Sequence, residues 1–176
     1  MRKDLLSLGF VILLIAVLFS GTKIQSVDEY YLTHIDEITD DSHTVTISIR
    51  ADTILNNMDK LKPELKKYVP KDGMILKETE YVLRPGDTVF DILHRTVRHN
   101  RIQMEFQGAD LNVYNSVYIQ GINHLYEFSC GPLSGWMYAV NDVFPNYGVS
   151  KYELKDGDQI DFRYTCDLGR DLGYEF

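Results

Sequence analysis

The chain is expected to fold as an α+β domain in which one main helix packs on a mixed β-sheet. Three observations carry this expectation. Val45, Ile47 and Ile49 alternate with Thr44, Thr46 and Ser48, the pattern of a half-buried strand. Val89, Ile92, Leu93 and Val97 recur at helical spacing and give one helix a single apolar side. From Arg101 onward the sequence reads as strand and turn, so a single helix must serve a sheet built from both ends of the chain.

In chain order, the first element is apolar. MRKDLLSLGFVILLIAVLFSG places Arg2 and Lys3 ahead of an uncharged run from Leu5 to about Gly21, with acidic residues beyond it. This charge asymmetry predicts an amino terminus held inside and a remainder held outside. The run spans roughly 25 Å at ~1.5 Å per residue, slightly short of an ~30 Å hydrocarbon core. Residues 1–21 are therefore expected to be a signal anchor or a signal peptide. Phe19 and Leu18, where a cleavage site wants small residues, favour the uncleaved anchor. The expected location is the cell membrane, single-pass, with the carboxyl-terminal domain extracellular; secretion after cleavage is the alternative. Residues 22–42 are acidic and aperiodic and read as a stalk, and residues 43–176 as the domain.

Within the domain, HTVTISIR is the first strand. ADTILNNMDKLKPELKKYVPKDG carries Lys60, Lys62, Lys66 and Lys67, the solvated face of a helix or loop that Pro63 interrupts. Tyr81 to Leu83 form a short strand before a Pro-Gly turn, and Asp87 or Thr88 caps the helix. RIQMEF is expected to pair with NSVYIQGINHLYEF, where Gly121 marks a bulge or bend. WMYAV runs into the turn Asn141-Asp142. KYEL is connected through LKDGD to QIDFRYTC, in which Ile160, Phe162, Tyr164 and Cys166 share a face.

Composition narrows the function. The 176 residues include twelve tyrosines and eight phenylalanines, which favour strands, and the formal net charge is −8. An acidic chain does not wrap nucleic acid, which requires a basic face. No G-x-S-x-G, P-loop or H-E-x-x-H occurs, and His34, His43, His94, His99 and His124 are scattered, so no enzyme activity is expected. Asp156, Asp158 and Asp161 lack the further ligands of an EF-hand loop and read as a hairpin turn. Outside the membrane, Cys130 and Cys166 form a candidate disulfide worth about 4 kcal/mol in the chain-entropy model. Neither has a His or Cys at zinc-ligand spacing, and free thiols are the other reading.

GDTVFDIL, YIQGINHLYEF, SGWMYAVN and LKDGD in this order resemble the transcobalamin carboxyl-terminal-like domain of bacterial exported proteins. The resemblance covers roughly residues 43 to 170. It implies a β-grasp-like architecture related to the small domain of transcobalamin and intrinsic factor, which covers one face of a corrinoid. No stretch of this sequence is expected to form the helical barrel that covers the other face. The resemblance implies cobalamin or a related flat molecule as ligand; the aromatic stretch edged by Gly131, Gly135 and Gly148 makes Trp136, Tyr138, Asn141 and Tyr147 the candidate residues to meet it. Trp136 shares a strand side with Tyr138 and Val140, and that side either packs beneath the helix or stacks on a ligand. Asn141 starts a turn in either case. Two functions follow: a small-ligand-binding module tethered to the membrane through residues 5–21, or a cell-surface structural domain that contacts another protein.

Overall fold

A computed structural model describes residues 34–174, together with Ile12, Ser26 and Tyr30. The chain divides into two compact units, Met1–Tyr30 and Tyr31–Phe176. In the first, the Tyr30 N–H donates to the Ser26 carbonyl at 2.9 Å. Apart from Ile12, the apolar segment 1–21 lies outside the described residues, as does most of 22–33. Among the described residues no helix is long and apolar enough to cross a membrane.

The second unit has an α+β fold. Its strands are β1 (Thr44–Arg50), β2 (Met74–Val82), β3 (Met104–Gln107), β4 (Tyr118–Ile122), β5 (Leu125–Tyr126), β6 (Gly135–Val140) and β7 (Gln159–Thr165), with helix α1 (Val89–His99) after β2. Four strands form a mixed sheet in the order β2-β1-β7-β6. β1 runs antiparallel to β2 and parallel to β7, while β6 pairs antiparallel with β7. The sequence led us to expect one sheet, but β3, β4 and β5 make a second, three-stranded one.

The alternation in β1 buries Val45, Ile47 and Ile49, and β7 buries Ile160, Phe162 and Tyr164. These side chains, apart from Tyr164, share one core with Val89, Ile92, Leu93 and Val97 of α1, so the helix lies on the apolar face of the mixed sheet. Thr88 is its N-cap. The Asp91 carboxylate accepts the Thr88 N–H at 2.9 Å while the Thr88 hydroxyl accepts the Asp91 N–H at 3.4 Å, a reciprocal cap worth ~1 kcal/mol. Asp87, the other candidate cap, instead pairs with Arg95 at 2.6 Å and accepts the Arg84 N–H.

Two local expectations are corrected. β2 begins at Met74, well before Tyr81. KYEL contributes one isolated bridge, Glu153 to Thr88. The segment after β1 folds as two 3-10 turns, Asp52–Asn57 and Pro63–Tyr68, with the break at Pro63 as expected. Residues 34–36, within the expected stalk, meet the domain: the Arg84 Nε donates to Asp36 at 3.0 Å and a terminal guanidinium nitrogen donates at 2.9 Å. Each aspartate near the final hairpin has its own protein partners. Asp156 accepts the Thr44 N–H, Asp158 accepts from Lys155 and Asn141, and Asp161 binds Arg50.

Candidate functional site

Trp136 sits near the start of β6, an edge strand, and is half-buried. Its indole N–H donates to the Leu125 carbonyl at 2.7 Å, and its ring meets Tyr164 edge-on at 5.3 Å. One flank of the ring therefore packs in the core. Its remaining surface lines a groove of about 310 Å³ shared with Phe128, Leu133, Met137 and Leu168.

Both rims of this groove are held by backbone bonds. The Phe128 N–H donates to the Ser134 carbonyl at 2.9 Å, and the Leu168 N–H donates to the Leu133 carbonyl at 2.8 Å. Phe128 and Leu168 have φ of 61° and 50°, left-handed values that bulky residues rarely adopt. Such a conformation costs roughly 1–3 kcal/mol and is concentrated at functional sites. Both side chains nonetheless point outward, Phe128 at 59% exposure and Leu168 at 44%. Two strained backbones thus present apolar side chains to the same groove.

A second groove of about 420 Å³ is lined by Tyr114, Tyr118, Pro145, Tyr147 and Lys151. Gly148 is required here, because a Cβ at that position would collide with the Ser116 side chain. The loop bearing Tyr147 can therefore lie against the loop that leads into β4. Tyr118 lines both grooves, and its hydroxyl donates to Glu127 Oε2 at 2.5 Å. Burial, and then the bond to this carboxylate, push the Tyr118 hydroxyl pKa well above the ordinary phenol value, so it stays protonated.

The four residues expected at the site are placed differently from one another. Trp136 and Tyr147 line adjacent grooves joined by Tyr118. Tyr138 is buried beneath them, stacked on Phe162, and acts as a support. Asn141 lies at the opposite end of β6 and lines neither groove. With Asp142 it adopts left-handed backbone in a two-residue hairpin, and its side chain binds Asp158 and the Gln159 N–H. Sequence reasoning passed over Tyr118, Glu127, Phe128, Leu133 and Leu168. One signal could have found two of them: Phe128 and Leu168 each stand two positions from a cysteine.

Cys130 and Cys166 are buried free thiols, and Cys130 Sγ donates to the Asn57 carbonyl at 3.4 Å. They share a small apolar cluster with Ala51, Ile54, Leu61, Leu125 and Tyr164. Burial, and then the neighbouring thiol, push Cys166 up to about 12.

Residues 86–166 match the model of a domain of unknown function, DUF4430. That segment runs from the turn before α1 to the end of β7 and contains both cysteines, Trp136 and Tyr147. Haptocorrin in complex with Cbi is similar at 12% identity and a TM-score of 0.50, over 76% of this chain and 27% of haptocorrin. This likeness concerns the fold, and the chain spans about a quarter of haptocorrin's length. A candidate metal-binding protein from Ruminococcus gnavus aligns with 69% of this chain and 95% of its own, at 9% identity and a TM-score of 0.40. No curated protein sequence matches the chain.

Proposed function

We propose that this chain is a non-catalytic, membrane-tethered module that holds a small flat ligand against the aromatic surface around Trp136. In this reading residues 1–21 anchor the chain and the domain faces outward. The order β2-β1-β7-β6, with β1 parallel to β7 and a single helix between the two hairpin halves, supports a β-grasp assignment. The observation that carries the function is the pair of strained rims, Phe128 and Leu168, presenting apolar side chains over the accessible part of Trp136. Burying bulky apolar residues would stabilise the fold by roughly 1.5–3 kcal/mol each, so holding them exposed on strained backbone favours a binding role over a structural one.

The groove of about 310 Å³ lies at the low end of the roughly 300–1,000 Å³ common for ligand sites. It is open, so it covers one side of a planar molecule. A corrinoid is compatible with this arrangement and with the fold likeness to haptocorrin, provided that a second surface encloses its other face. Trp136 is the only tryptophan, so intrinsic fluorescence reports directly from the groove. Titration with cobalamin should change that emission saturably. An unchanged spectrum at high micromolar cobalamin would remove the corrinoid from consideration.

A cell-surface protein-contact role has one observation of its own. Leu111, Val113 and Tyr114 are 66%, 92% and 80% exposed on the loop before β4, beside the second groove. A protein partner would cover that loop, and its deletion would abolish such an interaction without altering cobalamin titration.

A further inference from the structure

Resting on the ligand-binding reading of the Trp136 groove, we infer that its ligand is an organic cation with a flat apolar body. The argument is the charge of the lining. None of the described residues around this groove is Lys, Arg or His, and the one that carries a formal charge is Glu127. Glu127 Oε2 accepts the Tyr118 hydroxyl at 2.5 Å, which fixes the carboxylate while its second oxygen is left to offer to a ligand. Another carboxylate stands behind the lining residue Thr165. Asp171 accepts the hydroxyl of Thr165, a lining residue, at 2.5 Å and the Cys166 N–H at 2.7 Å. Arg170, on the same turn, pairs with Asp167 at 3.0 Å, so its charge is offset locally.

Aromatic faces reinforce that sign. Tyr118, Phe128 and Trp136 come from β4, the β5–β6 connection and β6 and line the same groove. A ring presents negative charge on its face, and a cation near it gains from the ring quadrupole, most of all at tryptophan. Three rings with a fixed carboxylate form the arrangement that recognises alkylammonium groups. An anion would meet repulsion from Glu127 with no basic side chain to compensate. The second groove differs in this respect, since Lys151 lines it. The apolar part of the ligand is set by Leu133, Met137 and Leu168.

The experiment compares three probes on the full-length chain by Trp136 fluorescence. They are benzyltrimethylammonium, its neutral carbon isostere 2,2-dimethylpropylbenzene, and phenylacetate. The cation should bind about tenfold tighter than the isostere, within the range for a carboxylate-assisted cation–π contact. Phenylacetate should bind most weakly. Glu127→Gln, which keeps an acceptor for Tyr118, should reduce the preference for the cation to the part that the three rings supply. Equal affinity for cation and isostere on the unmutated chain, or tighter binding of phenylacetate, would overturn the cation inference while leaving the groove a ligand site. If none of the three perturbs Trp136, the groove reading falls and the inference with it. The isostere comparison needs no variant, so the test does not depend on how the substitution folds.

Discussion

The hydroxyl of Tyr138, buried in β6, donates to the backbone carbonyl of Tyr147 at 2.6 Å. This bond links the core of the mixed sheet to the loop that lines the second groove. Tyr138 also stacks on Phe162 at 5.9 Å, which fixes the ring from which the hydroxyl projects. Tyr138→Phe preserves the stacking and removes only the donor. It should cost about 1 kcal/mol, seen as a lower urea midpoint at unchanged slope. Hydrogen exchange should rise in residues 145–149 and stay level around Trp136. A uniform rise across both regions would show that the two grooves are not held separately.

Trp136 answers to two demands, and one substitution separates them. Its N–H satisfies the Leu125 carbonyl at the end of a fully buried residue, and its ring packs edge-on against Tyr164. Trp136→Phe retains an aromatic plug but leaves that carbonyl without its donor, for a cost of about 1–3 kcal/mol. Trp136→Ala should cost about 3–5 kcal/mol, as large aromatic truncations do. Thermal denaturation of both variants checks the order. If Trp136→Phe is as damaging as Trp136→Ala, the hydrogen bond rather than the packing dominates.

The elements legible in the sequence are those whose periodicity and burial agree. β1 and β7 each bury one face against α1, so their alternation survives in the residues. α1 carries its own cap in Thr88 and Asp91. The first part of β2 was hidden because it is an edge strand with mostly exposed or half-buried positions, where Lys77, Glu78 and Glu80 interrupt any apolar pattern. Such charges keep an edge from pairing with another chain. The bend at Gly121 was legible for a steric reason: a Cβ there would lie 2.6 Å from the Tyr126 ring. The two grooves were only half legible. Trp136 and Tyr147 are conspicuous by type, whereas Phe128 and Leu168 matter through backbone conformation, for which a Phe or Leu gives no local signal.

Asp36 and Arg84 form a two-pronged pair with side chains about one-third exposed, 35% and 34%. A pair that accessible contributes at most about 1 kcal/mol once solvent screening is allowed for. Its effect should therefore be local. Asp36→Ala is expected to leave the melting temperature nearly unchanged while speeding proteolysis within residues 34–42. Raised salt should reproduce part of that effect in the unmutated chain, because an exposed pair is screened. Unchanged cleavage would mean that backbone contacts, not the ion pair, hold the segment.

Cys130 and Cys166 lie two positions from Phe128 and Leu168, so a bond between the sulfurs would tie together the two rims of the Trp136 groove. The thiols share one buried cluster, and we expect an oxidant such as copper-phenanthroline to take two electrons from them, with release of two protons, to give a disulfide. Mass spectrometry would register the loss of two hydrogens, and the oxidised chain should gain up to about 4 kcal/mol. A second signature distinguishes this bridge from surface oxidation. Burial raises the Cys166 thiol from 9.0 to about 12, so the folded chain keeps a proton that the unfolded chain releases. That contribution is intact below pH 9 and is lost as pH rises toward about 12. A disulfide has no such proton, whereas Tyr164, also raised to about 12, titrates in both forms. The gap in melting temperature between oxidised and reduced chains should therefore widen from pH 9 to pH 11. Parallel profiles would mean that the oxidant had reached some other group and that the sulfurs beneath the groove remain apart.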